Sequence, residues 1–182
     1  MVASSFDPTH AVRFDLPRGS VRTRGDDDRV LLVPTAALDE LVRSASPEAV
    51  DALGRALGAA IGRRASARMG DPQGASMDSF VAQLAGEAAV AGVGALSIER
   101  WGRALVIVVE DSPLVGTLLA AIVSSALEAA SGRRAWCALL SRDDRTARLL
   151  VSSEQAVGRV REWIASGIGW SEAVAKLHGV GA

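Results

Sequence analysis

Leu114–Ala130 is the segment that most restricts how this chain can fold. Only Thr117, Ser124, Ser125 and Glu128 within it are polar, so the helix it predicts is apolar almost all round. Such a helix is normally buried among other elements. Spanning a bilayer takes about 20 consecutive apolar residues. This run is shorter and ends in a more polar third, so no membrane insertion is expected. The residues on either side supply the covering elements. Leu96–Arg100 and Ala104–Glu110 read as a strand pair turning at Trp101-Gly102, and Arg134–Ser141 and Arg145–Ser152 as a second pair turning at Asp143-Asp144. Leu105–Val109 is continuously apolar and mostly β-branched, the mark of a strand covered on both faces. Ser112 followed by Pro113 predicts the start of the central helix, and Gly132 its end.

Helical signals fill most of the remainder. Pro34-Thr35 opens a helix over Ala36–Arg43 with Leu38, Leu41 and Val42 on one face. Ser46, Pro47 and Glu48 form an N-terminal signal, and Val50, Leu53, Leu57 and Ile61 recur at helical spacing through Arg68. A further helix is predicted from Met77 to Ala91, with Gly92 and Gly94 stopping it. Two more close the chain, over Ser153–Ala165 and Ser171–Leu177. Residues 1–11 lack periodicity and are expected to be loose. Phe14, Leu16 and Val21 suggest a short strand or arm, and Arg29–Val33 another strand. The expected architecture is α/β in the α+β sense: a four-stranded antiparallel sheet, made of two hairpins joined by the buried helix, packed against several helices. With 182 residues and no long linker, positions 12–182 are expected to form one domain.

Composition excludes more than it suggests. A net charge of −1 gives no general attraction to nucleic acid or anionic membranes. Lys176 is the only lysine, an arginine bias that reflects a GC-rich genome rather than a task. Cys137 stands alone, so neither an intrachain disulfide nor a cysteine-clustered zinc site is possible. It lies in an apolar strand and reads as a small buried hydrophobe. His10 and His178 are the only histidines, too few for a two-histidine metal pair. No G-x-S-x-G elbow exists, and Gly70–Gly74 lacks the Lys-Ser/Thr of a phosphate-binding loop. Glu110-Asp111 point in different directions as neighbours at a strand end. Arg63, Arg64 and Arg68 make a small basic face without the aromatic residues that nucleic-acid binding would add. The expectation is therefore no catalytic residue, no cofactor, no metal and no nucleic acid. An N-terminus without a secretory pattern points to the cytoplasm.

Two features suggest contacts. Gly54, Gly58 and Gly62 stack on one helix face, where each glycine costs about 1 kcal/mol relative to alanine. Such a stripe serves either a close crossing within the chain or a seam between two copies. Trp101, at a hairpin tip, is either a binding hot spot or folded back onto the sheet. Gly54, Gly58, Gly62 and Trp101 are the candidate interface. Leu118, Leu119, Ile122 and Val123 are the candidate lining of an apolar pocket beside the central helix.

From Leu53 to Ser152 the order of elements resembles the 4-vinyl-reductase-like domains, which share a fold group with the small subunits of the TRAPP tethering complex. The resemblance is carried by Leu53-Gly54-Arg55-Ala56-Leu57-Gly58, Gly92-Val93-Gly94 and Val108-Val109-Glu110-Asp111-Ser112-Pro113, then the apolar helix and last hairpin. It implies a domain, often dimeric, that encloses or abuts an apolar pocket and senses or docks. Many members carry cysteines near positions held here by Leu139, Leu140 and Leu149, so their cysteine chemistry does not transfer. The leading expectation is a non-catalytic, homodimeric module that docks on other proteins. The alternative is a sensor of a hydrophobic small molecule.

Overall fold

The structure is a computed structural model describing residues 6–24, 26–70, 74, 76–102 and 104–179. Its centre is an antiparallel sheet of β4 (Ala95–Trp101), β5 (Ala104–Glu110), β6 (Trp136–Asp143) and β7 (Thr146–Ser152), in the order β4-β5-β7-β6. Each hairpin is sequential, and β7 lies against β5 with Ile107 opposite Leu149. The expected four-stranded sheet is thus present, with β4 and β6 at its edges.

Alternation along the strands sorts two cores. Ile107, Val109, Cys137, Ala147 and Leu149 face α2 (Pro47–Met69), α3 (Met77–Val90) and α4 (Gly116–Ser131). Val106, Val108, Ala138, Leu140 and Leu150 face α5 (Glu154–Ala165) and α6 (Trp170–Gly179). That double coverage is why Leu105–Val109 carries no polar alternation. A further helix, α1 (Thr35–Ser44), packs Leu38 and Val42 on the first core. Helices α2, α3 and α5 are capped by Ser46, Ser76 and Ser153, whose hydroxyls accept from Ala49, Ser79 and Ala156 amides.

Helix α4 begins later than Ser112-Pro113 predicts. Ser112 is fully buried, and its amide donates to the Arg145 carbonyl at 2.9 Å. Arg142 donates to the carbonyls of Ser112, at 3.1 Å, and Leu114. These bonds hold residues 112–115 as a fixed loop, and the helix starts after Val115, which makes no side-chain cap bond.

A second, small sheet precedes all this: β1 (Val12–Asp15), β2 (Ser20–Thr23) and β3 (Arg29–Val30). The strand expected over Arg29–Val33 stops at Val30, and Leu31, Leu32 and Val33 run on exposed. Residues 1–5 of the segment expected to be loose lie outside the described residues, and 6–11 carry some local structure. A 3₁₀ turn over Pro8–His10 is capped by the Asp7 carboxylate, which accepts from the Thr9 amide at 2.9 Å, and Ala11 is buried.

Three charged helical residues anchor this region. Glu87, 1% exposed, accepts from Arg64 Nε at 2.7 Å and Arg68 Nε at 2.6 Å. The Arg68 guanidinium also lies 4.9 Å from the centre of the Phe6 ring, and the ring fills the space a side chain at Gly86 would need. Arg64 and Arg68 are therefore not a free basic face.

Candidate functional site

Helix α4 has two personalities. Leu118, Leu119, Ile122 and Val123 are all at most 2% exposed and belong to the first core. Leu118 and Leu119 are packed in the core and do not line the groove described below, while Ile122 and Val123 border a small apolar void of about 10 Å³. That is roughly the space of one water and not of an organic ligand. The other face carries Thr117, Ala120, Ala121, Ser124, Ser125 and Glu128, and it forms the floor of an open groove of about 890 Å³.

The groove is closed by three further elements. The α1–α2 junction gives Val42, Ala45, Pro47 and Val50; the start of β6 gives Trp136, Cys137 and Leu139; the end of α5 gives Arg161 and Ile164. Its polar groups are few and mostly engaged. Arg55 is ion-paired with Asp51. The Ser125 hydroxyl donates to the Arg55 carbonyl at 2.9 Å, and that of Ser124 to the Ala135 carbonyl. Arg161 Nη2 donates to the Cys137 carbonyl at 2.7 Å. Burial pushes the Cys137 thiol up to about 12, against smaller opposing effects of the Ser124 hydroxyl and the Arg161 charge. It is a packing residue, not a nucleophile.

The candidate interface residues are consumed inside the chain. A side chain at Gly54 would meet Ala121 and the Leu118 carbonyl; at Gly58, the Ile122 carbonyl; at Gly62, the Ala126 carbonyl and Ala129. The partner rises by about one turn with each glycine, so α2 and α4 run parallel in backbone contact. The stripe is a close internal crossing rather than a seam open to a second copy. Trp101 is also folded back: its ring lies 4.6 Å from that of Trp170, tilted by 41°, and Nε1 donates to Glu99 at 2.9 Å. Elsewhere, Asp111 is ion-paired with Arg145 at 2.9 Å, residues 71–73 of the Gly70–Gly74 loop lie outside the described residues, as does the side chain of His178. Among the described residues no cluster of three or more His, Cys, Asp or Glu is placed to hold a metal, and no helix is long and apolar enough to cross a membrane.

The candidate lining includes none of the groove residues; those on α4 that it misses include Ala120, Ser124 and Ser125. Their signal was present: Thr117, Ser124 and Glu128, the polar interruptions of an apolar run, mark one strip of the helix as the side turned away from the core.

No protein-family model matches the chain, and no curated protein matches it. Among solved structures it is similar to the phenol-responsive sensory domain of the transcription activator PoxR, crystallised with phenol. The two share 17% identity and a TM-score of 0.60, over 79% of this chain and 85% of that one. At that identity the likeness establishes a common fold.

Proposed function

We propose that this chain is a sensory domain that binds a small organic molecule in the groove along α4 and passes its occupancy to a partner protein. The observation that carries the reading is the groove itself: a large concavity with mainly apolar walls, a tryptophan on one of them, and placed polar groups along its floor, as ligand sites commonly have. The likeness to a sensory domain supports the same reading. So does the fate of the glycine stripe and Trp101, since a docking role rested on residues that are spent internally. The resemblance of Leu53–Ser152 to 4-vinyl-reductase-like domains and a cytoplasmic location accord with this role; homodimerisation is not required for it.

The test is calorimetric titration of the full chain with 4-phenyl-1-butanol and 4-phenylbutyrate, for the native sequence and Ala120→Trp. Ala120 sits on the groove floor, where an indole would obstruct the site without replacing any of the fully buried residues of α4. Saturable binding that Ala120→Trp abolishes without lowering the melting temperature is the expected result. Failure of both probes to bind, or binding indifferent to Ala120→Trp, overturns the reading.

A further inference from the structure

Arg161 is the groove's unneutralised cation. Arg55 has Asp51 beside it, whereas Arg161 has no carboxylate within ion-pair distance among the described residues. Its bond to the Cys137 carbonyl uses one of five guanidinium N–H donors and ties the side chain to the outer edge of β6. The other donors are left at a wall whose neighbouring members are Trp136, Cys137 and Ile164. A planar fork fixed on one side beside apolar surface is well arranged to take a planar anion, because little rotamer freedom remains to be lost.

We infer that Arg161 is the head-group anchor of the groove, and that the ligand class is amphipathic organic monoacids: aryl or short alkyl carboxylates whose tails lie along Ala120 and Ala121 toward Val42 and Ala45. The inference rests on the groove being the ligand site. Charge selects the monoanion. With Arg55 neutralised by Asp51, the groove offers, among the described residues, one positive charge without an ion-pair partner, and Glu128 adds an exposed negative charge on its floor. A phosphate dianion would be repelled by Glu128 after satisfying Arg161, while a neutral alcohol or phenol would leave the guanidinium unused. Size also fits: about 890 Å³ is within the usual range of about 300–1,000 Å³ for drug-sized ligands, so a single ring would leave much of the groove unfilled.

The same titrations separate this inference from the reading beneath it. In the native chain 4-phenylbutyrate is expected to bind about tenfold more tightly than 4-phenyl-1-butanol, one charge-assisted bond's worth of difference. Arg161→Gln should erase that preference. Arg161→Lys should retain part of the preference, and Glu128→Gln should increase it. Equal binding of acid and alcohol by the native chain, or an acid preference that survives Arg161→Gln, overturns the carboxylate assignment while the groove remains a ligand site. Absence of binding by either probe removes both. The native-chain comparison decides the matter even if Arg161→Gln fails to fold, and melting curves of each variant show whether it does.

Discussion

Because the Cys137 thiol ionises near 12 in the folded chain, while an unfolded cysteine ionises near about 8.5, alkaline pH acts on stability through this one group with a definite sign. Below about 8.5 the thiol is protonated in both states and costs nothing. Between there and about 12 only the unfolded chain releases the proton, so stability falls as pH rises. Iodoacetamide at pH 8 should accordingly label the native protein at a rate set by unfolding, and urea should restore fast labelling; rapid native labelling would show a thiol that is neither buried nor raised. Trp101 makes the opposite point about exposure. A tryptophan at a hairpin tip looks available in a sequence, but Trp170, some 70 positions away, provides a ring to lie against. Trp101→Ala should cost about 1–3 kcal/mol of stability by urea denaturation, and loosen α6 in hydrogen exchange.

Among the elements, periodicity and capping residues located every helix and all four strands of the main sheet to within a few positions. The start of α4 escaped because Ser112-Pro113 has the same signature whether it caps a helix or, as here, is pinned by Arg142 and the Arg145 carbonyl from a distant hairpin. The small sheet of β1, β2 and β3 was only half visible: a short strand or arm around Phe14, Leu16 and Val21 and a strand over Arg29–Val33 were expected, but the strands are too short for alternation to fix their bounds or their pairing. The glycine stripe was visible, yet its partner was not, since spacing says that something comes close without saying what. In Gly58→Ala, the new methyl would collide with the Ile122 carbonyl, a backbone atom that cannot step aside. The helix-propensity gain of about 1 kcal/mol should be outweighed by an overpacking cost of about 1–3 kcal/mol, giving a lower melting temperature. An unchanged or higher one would mean that α2 and α4 are not in backbone contact.

For the molecule as a whole, the Arg64–Glu87–Arg68 cluster is the joint between the N-terminal sheet and the helices. Arg64 reaches Asp26 at 3.9 Å, and Arg68 covers Phe6. Glu87→Gln would leave two inward-facing guanidiniums without their shared anion, a loss of about 3–5 kcal/mol when one member of a buried cluster is removed. Proteolysis should then cut first within residues 6–30; uniform destabilisation with the N-terminal region still protected would show that the cluster is not the joint. The groove was only half legible from sequence. Its floor could be traced on one helix, but its walls come from three segments, from Val42 at one extreme to Ile164 at the other, which only the fold brings together. Leu118, Leu119, Ile122 and Val123 were selected for being apolar, and that same property draws them into the core.

Strand β6 borders the sheet, and an unpaired border is where protein molecules tend to stick to one another. Ser124 and Arg161 occupy the outward carbonyls of Ala135 and Cys137, so two helices act as a guard rail there. A bound molecule strong enough to pull Arg161 off that rail would expose the Cys137 carbonyl to the surroundings, tying recognition in the groove to the adhesiveness of the sheet's rim.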